Sequence, residues 1–128
     1  MIELLLPSDC IFYELDFEKN ELLYNMNINL SSFKSIYFLG IGGIGMSALA
    51  RYFKSKGFDV NGYDKMQTPL TDNLVSEGIG VHFDDLGNNV KVLVGDLSQT
   101  LVVLTPAIPK DMKEWIWLKE SGYTILKR

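Results

Sequence analysis

The chain has 128 residues, of which 47% are hydrophobic and 22% charged, and a formal net charge of −4 at pH 7. This length suits one domain with a single core, and no apolar run approaches the roughly 20 residues that span a bilayer. The acidic balance offers no basic surplus to neutralise a nucleic-acid backbone. Neither nucleic acid nor a membrane is therefore a predicted partner.

The cysteine and histidine content excludes two kinds of structural cross-link. The single cysteine, Cys10, cannot form an intramolecular disulfide, and the single histidine, His82, leaves too few ligands for a structural zinc site. The first residues, MIELLLPSDC, carry acidic side chains where a secretory signal would be basic. We expect a cytoplasmic protein that holds no metal.

Residues 1–34 form an N-terminal extension whose role the sequence leaves open. This segment is acidic and aromatic and lacks obvious periodicity. It is either a natural extension packed on the domain or a stretch upstream of an alternative translation start at Met26.

From residue 35 onwards, segments typical of strands alternate with segments typical of helices. Residues 84–89 are predicted to form a loop, and the secondary structure of residues 90–97 is ambiguous from the sequence. The alternation predicts an α/β, Rossmann-like, doubly wound and mostly parallel sheet with helices on both faces, in one domain over residues 35–128. Strands are predicted at residues 35–39, 59–63, 79–83, 101–104 and 123–126, and helices at residues 46–56, 68–77 and 110–121.

A glycine-rich segment, Gly40-x-Gly42-x-x-Gly45, follows the first predicted strand and opens a helix. Glycine at the first position lets the chain turn, the second lets backbone approach a diphosphate, and the third lets the helix lie close to the strand. A helix N-terminus in this setting is an anion site. The segment predicts a ligand that carries phosphate, against the alternative that the glycines only pack.

Two further loops follow predicted strands and are expected at the same edge of the sheet. Asp64 ends the second strand about 20 residues after the glycines, where a carboxylate takes ribose hydroxyls in NAD enzymes. Its alternative is a capping or solvated carboxylate. Thr105-Pro106-Ala107-Ile108-Pro109 follows the fourth strand. By these residues alone, a nicotinamide-binding module is one interpretation.

Three other polar residues each have a structural and a functional interpretation. His82, beside Phe83, is expected to be a partly buried packing residue, with ligand contact as the alternative. Asp84 and Asp85 are expected in a solvated loop, with cation binding as the alternative. No segment matches G-x-x-x-x-G-K-[ST], and no Ser-His-Asp or Cys-His set stands out. We therefore assign no catalytic residue.

Three segments together resemble the N-terminal domain of the Mur ligases that join L-alanine to UDP-N-acetylmuramate. These segments are GIGGIGMSALA from Gly40, GYD ending at Asp64, and LVVLTPAIP ending at Pro109. The resemblance runs from about Ser35 to Arg128, and the Met-Ser pair after the last glycine makes it more specific than the glycine pattern alone. Two positions depart from the family's pattern: Tyr63 stands where many members have serine, and Thr105-Pro106 replaces a serine pair.

The resemblance implies a Rossmann-like domain that holds UDP-N-acetylmuramate for peptidoglycan precursor synthesis. It implies that this domain is one of three, that the central domain binds ATP and Mg, and that the C-terminal domain receives the amino acid. Gly42–Gly45 and the following amides would cradle the diphosphate, Asp64 would contact the uridine side, and the loop from Thr105 would close over the nucleotide. Carried onto this sequence, the UDP-sugar site comprises Gly40, Ile41, Gly42, Gly43, Ile44, Gly45, Met46, Ser47, Asp64, Thr105, Pro106 and Ala107, with His82 and Arg128 as further candidates.

Three alternatives stay open beside this interpretation. One is the related recycling ligase that attaches a whole peptide to the same UDP-sugar. The second is an NAD(P)-binding module of a dehydrogenase or a nucleotide sensor. The third is a structural domain without a ligand.

Overall fold

The computed structural model describes residues 2–5, 12–15 and 32–127. The sequence predictions for Cys10, Met26 and Arg128 therefore lie outside the described residues. The strands are β1 (Ile2–Leu5), β2 (Phe12–Leu15), β3 (Ser35–Leu39), β4 (Asp59–Tyr63), β5 (Gly80–His82), β6 (Thr100–Leu104) and β7 (Thr124–Lys127), and the helices are α1 (Ile44–Ser55), α2 (Pro69–Ser76), α3 (Lys91–Val94) and α4 (Lys113–Glu120).

The strands form one sheet in the order β2-β1-β7-β6-β3-β4-β5. The five strands from β7 to β5 are parallel, whereas β1 pairs antiparallel with both β7 and β2. The chain runs outward from β3 through β4 to β5, then returns to the other side of β3 as β6. The order therefore reverses between β3 and β6, which is where open α/β sheets bind their ligands.

Helices cover both faces of the parallel strands, and each face has its own apolar cluster. The alternation of side chains along β3 sends Ile36 and Phe38 to one face and Tyr37 and Leu39 to the other. The first cluster adds side chains from α1 and α2, namely Met46, Leu49, Ala50, Phe53 and Leu74. The second adds Val90, Val94, Met112 and Leu118 from the segments around α3 and α4. This arrangement is the predicted α/β fold.

Helix α2 shows how local sequence fixes an element. Thr68 accepts a hydrogen bond from the backbone N–H of Thr71, and the Thr71 hydroxyl accepts one from the Thr68 N–H, so the two form a capping box. Pro69 occupies the first helical position, where its missing N–H costs nothing. Gly78, with φ of +89°, follows the end of the helix.

The predicted strands and helices from residue 35 onwards are all present, most of them with bounds within two residues of the prediction. Helix α1, for example, begins two residues earlier than predicted. Strands β3 and β4 have the predicted bounds, whereas α4 begins three residues later than predicted, at Lys113. Residues 84–99 contain short 3-10 turns at Gly87–Val90 and Leu97–Gln99 and the helix α3, where a loop over 84–89 and an ambiguous segment over 90–97 were predicted. Strands β1 and β2 were not predicted. None of the described helices has the length and apolar character needed to cross a membrane.

Candidate functional site

A cavity of about 230 Å³ lies at the point where the strand order reverses. The pairing of Leu39 with both Tyr63 and Leu104 brings the carboxyl ends of β3, β4 and β6 into line. The three loops predicted at this edge therefore meet there. The cavity is lined by Gly40, Gly43, Tyr63, Asp64, Lys65, Thr105, Ala107, Ile108 and Pro109.

The glycine-rich loop is tied to the end of β4. The N–H groups of Gly40 and Ile41 both donate to the Tyr63 carbonyl, at 2.8 and 3.0 Å. Gly40 has φ of +93°, and a Cβ there would lie 2.2 Å from Cγ2 of Thr105. Only glycine satisfies both conditions, so the sequence's first glycine is required by the turn and by the approach of the loop after β6.

The N-terminus of α1 opens at this cavity without a side-chain cap among the described residues. Its N-cap residue is Gly43, and the first turn carries no acidic side chain. The Ser47 N–H already donates to the Gly43 carbonyl at 2.8 Å. The donors that open the helix are therefore the N–H groups of Ile44, Gly45 and Met46, which together with the helix dipole favour an anion.

The side chains around the start of α1 pack in the core, bond to the helix backbone or face solvent. Ile41 and Met46 are buried in the first apolar cluster, and the Ser47 hydroxyl donates to the Ile44 carbonyl at 2.9 Å. Ile44, by contrast, is 87% exposed. The hydrogen-bond donors that remain at the start of α1 are therefore backbone N–H groups and not side chains.

Asp64 holds the glycine loop in place. One carboxylate oxygen accepts from the Gly42 N–H at 2.8 Å, and the other accepts from the Met66 N–H at 3.1 Å. A Cβ on Gly42 would lie 2.7 Å from the first of these oxygens. The second glycine of the motif therefore admits the Asp64 carboxylate. Because a carboxylate has about four acceptor positions, Asp64 can also accept from a hydroxyl in the cavity.

The loop after β6 supplies the opposite wall. The Thr105 N–H donates to the Leu39 carbonyl at 3.2 Å, which fixes the start of this loop beside the glycines. Ala107 lines the 230 Å³ cavity, whereas Pro106 lines a neighbouring cavity of about 640 Å³ on the α4 side. Thr105 and Ile108 border both, so the two cavities are separated by this loop.

A buried polar network that the sequence did not predict lies behind the cavity wall. Glu114, on α4, is fully buried. Its carboxylate accepts from the Tyr37 hydroxyl, from His82 Nε2 at 2.9 Å and from the Leu86 N–H at 2.9 Å. Burial, reinforced by the hydrogen bond to Glu114, raises the pKa of Tyr37 far above its ordinary value of 10.0. Tyr37 therefore stays a neutral donor.

His82 is partly buried, as the sequence predicted, and lies outside the described lining of the cavity. Because a carboxylate only accepts, Nε2 carries the proton that faces Glu114. The imidazole ring also contacts the ring of Tyr63, at 5.7 Å between centroids. His82 thus touches a residue of the cavity wall from behind.

Asp84 and Asp85 lie exposed in a loop, as predicted, and the Asp85 carboxylate also caps α4. It accepts from the N–H groups of Gly87, Lys113 and Glu114, at 2.8 to 3.1 Å. Glu114 in turn accepts from the Leu86 N–H, so the two carboxylates tie the two segments to each other reciprocally. We call this pair of contacts the Asp85–Glu114 clamp. It explains the late start of α4, because the cap comes from another part of the chain.

Among the described residues, no group of three or more His, Cys, Asp or Glu side chains is placed to hold a metal ion.

The fold and this geometry define a class: a Rossmann-like α/β domain whose glycine-rich loop lies at the switch point of the sheet. The family model described as "Mur ligase family, catalytic domain" matches residues 35–128. The chain therefore belongs to the Mur ligase family.

Relatives with a curated name agree with this assignment. A UDP-N-acetylmuramate–L-alanine ligase of Porphyromonas gingivalis is 50% identical over 95 residues, which cover 74% of this chain and 21% of that protein. One of Flavobacterium psychrophilum is 48% identical over 103 residues, covering 79% and 22%. The chain thus spans about a fifth of the length of the curated relatives it matches.

Two solved structures are similar in fold. The UDP-N-acetylmuramate-alanine ligase MurC from Thermotoga maritima has a TM-score of 0.62 and 34% identity, over 73% of this chain and 20% of that one. A UDP-N-acetylmuramate:L-alanyl-gamma-D-glutamyl-meso-diaminopimelate ligase from Neisseria meningitides has a TM-score of 0.64 and 27% identity, over 74% and 28%.

Proposed function

We propose that this chain is the UDP-N-acetylmuramate-binding domain of a cytoplasmic ligase that adds L-alanine to that UDP-sugar during peptidoglycan precursor synthesis. The observation that carries the proposal is the uncapped N-terminus of α1, which opens at a cavity on the switch point. The matched relatives are named for this reaction and this substrate. Residues 35–128 would form the binding domain, with residues 1–34 as its extension.

The backbone at the start of α1 would hold the diphosphate. The N–H groups of Ile44, Gly45 and Met46 are oriented by the helix and need no side chain to bind an anion. Asp64 would accept a hydroxyl of the nucleoside through the acceptor positions that Gly42 and Met66 leave free. The Thr105–Ala107 segment would form the facing wall. A cavity of about 230 Å³ is smaller than the roughly 300–1,000 Å³ typical of ligand sites, so the sugar would extend beyond it.

Activation of the carboxyl group would fall to other parts of the full-length protein. This chain spans about a fifth of the length of the ligases that it matches. By resemblance to the Mur ligases, ATP and Mg would bind in a central domain, where ATP would supply the phosphoryl group that activates the lactyl carboxylate. A C-terminal domain would supply the L-alanine amine. The contribution of this chain would be to bind and orient the UDP-sugar.

A substitution at Gly43 separates binding from folding. Gly43 has φ of −66° and ψ of 151°, which any residue adopts, and the atoms nearest to an added Cβ lie 3.8 Å away. Asn and Asp are both good N-cap residues, so both variants should fold at least as stably as the wild type. Only Asp adds a negative charge. At about 4 Å from a phosphate, a unit charge costs roughly 4 kcal/mol at an effective dielectric constant of 20.

The experiment is calorimetric titration of the wild type, Gly43→Asn and Gly43→Asp with UDP-N-acetylmuramate and, separately, with NADH. We expect heat with the UDP-sugar, a loss of at least about tenfold in affinity for Gly43→Asp, and a smaller loss for Gly43→Asn. Heat with NADH alone would instead support a dinucleotide-binding module. Equal affinity of the two variants would refute the placement of the diphosphate, and no binding of the UDP-sugar by the wild type would refute the proposed function.

A further inference from the structure

Tyr63 stands on the cavity wall with no part in the proposed phosphate or hydroxyl contacts. It is the last residue of β4 and is half-buried. Its carbonyl holds the glycine loop, while the residue itself lines the cavity together with Asp64 and Lys65. Its aromatic side chain packs against the second apolar cluster, and the next residue in the chain is Asp64, whose carboxylate is proposed for the nucleoside.

The ring of Tyr63 is supported from behind. The imidazole of His82 contacts it at 5.7 Å between centroids, with an angle of 55° between the planes. Nε2 of His82 is held by the buried Glu114 carboxylate at 2.9 Å and lies 3.2 Å from the Tyr37 hydroxyl oxygen. Because Glu114 is also fixed by the Leu86 N–H, the support is anchored at several points. The wall is therefore preorganised.

The surroundings of Tyr63 favour the neutral form of its phenol. Partial burial, together with the carboxylates of Asp85 and Glu114, raises the pKa of Tyr63 above its ordinary value of 10.0. A neutral ring offers its face for stacking and its hydroxyl as a donor. Both properties are compatible with the binding of an uncharged nucleobase.

We propose that Tyr63 contacts the nucleobase of the bound ligand by stacking, with His82 and Glu114 as positioning residues for its ring. The inference rests on the proposed function, because it needs a nucleotide whose phosphates lie at α1 and whose ribose lies at Asp64. An aromatic face accepts any base, and such contacts carry a substantial part of nucleotide affinity. The ligand class is therefore a nucleoside diphosphate derivative with its base against β4.

The test compares Tyr63→Ala with the matched control Tyr63→Phe, using the 128-residue chain and UDP-N-acetylmuramate. We expect roughly a tenfold loss of affinity for Tyr63→Ala and a change within about threefold for Tyr63→Phe. In proton NMR, the uracil protons should shift upfield on binding to the wild type and to Tyr63→Phe, because of the ring current. This shift should be much smaller with Tyr63→Ala. Far-UV circular dichroism reports whether each variant is folded.

Unchanged affinity in Tyr63→Ala, or uracil shifts that do not depend on residue 63, would overturn the inference while leaving the proposed function in place. Absence of binding by the wild type would overturn the proposed function and this inference with it. The two failures are therefore distinct.

The positioning role has its own test in a double-mutant cycle. Glu114→Gln should lower the affinity for the UDP-sugar by a few fold, and adding it to Tyr63→Ala should cause little further loss. A role for Glu114 that is only structural would lower affinity by the same factor in both backgrounds. Additive losses would therefore refute the positioning role.

Discussion

Replacing Glu114 by Gln should destabilise the fold, and the structure gives the expected size. The side chain is fully buried, and three donors converge on its two oxygens. Tyr37 donates to Oε1, while His82 and Leu86 donate to Oε2. Gln keeps the shape but replaces one carboxylate oxygen by an NH₂ group. Turned towards His82 and Leu86, this group faces two N–H donors, and turned towards Tyr37 it meets a hydroxyl whose own donation to residue 114 is lost.

The magnitude follows from these losses. An unsatisfied buried hydrogen-bonding group costs about 1–3 kcal/mol, and a bond to a charged group contributes about 1.5–3 kcal/mol. Removing the carboxylate also removes the cost of burying a charge, which offsets part of the loss. We expect the free energy of unfolding to fall by about 2 kcal/mol. Since domains have stabilities of roughly 5–15 kcal/mol, the variant should still fold.

Urea denaturation measures this change as a lower midpoint at an unchanged slope. Glu120→Gln is the matched control, because Glu120 lies on the same helix and is exposed. Its free energy of unfolding should stay within about 0.5 kcal/mol of the wild type. A change of that small size for Glu114→Gln would refute the argument that the network stabilises the fold.

Three further predictions concern the fold, its pH dependence and the site. Gly62→Ala should lower the free energy of unfolding by about 1–3 kcal/mol, because its Cβ would lie 2.8 Å from a backbone oxygen; Gly43→Ala is the control, and equal denaturation midpoints would contradict the clash. Tyr37 has a raised pKa, so the stability that depends on its proton is present below pH 10.0 and is lost as the pH rises further. Tyr37→Phe should flatten this decline between roughly pH 9 and 11, and a decline as steep as in the wild type would refute the assignment. Asp64→Ala should weaken binding of UDP-N-acetylmuramate by about 1–3 kcal/mol in calorimetry, and unchanged affinity would leave Asp64 as a loop-fixing residue only.

Features set by neighbouring residues were predictable from the sequence. Strand β3 is a buried apolar run that ends at a glycine turn, and α2 has its cap, its proline and its terminal glycine within eleven residues. The glycine motif likewise places the turn and the start of α1, because its chemistry is local.

Features that depend on contacts between distant residues were not predictable. Asp85 caps a helix that begins 28 residues later. Nothing in the sequence around Glu114 indicates that its carboxylate is buried, because that burial depends on tertiary contacts. Strands β1 and β2 lack an alternating pattern that would mark them. The Asp64 carboxylate reaches the Gly42 N–H from 22 residues away, so its role in fixing the loop needed the structure.

The Asp85–Glu114 clamp also has a consequence for local unfolding of the region behind the site. The N–H of Leu86 lies in an irregular segment, yet it donates to a carboxylate that is buried under α4. Its amide hydrogen should therefore exchange with solvent as slowly as those of the central strands, and together with those of Lys113 and Glu114. The irregular segment around Leu86 and the start of α4 would then open as one cooperative unit.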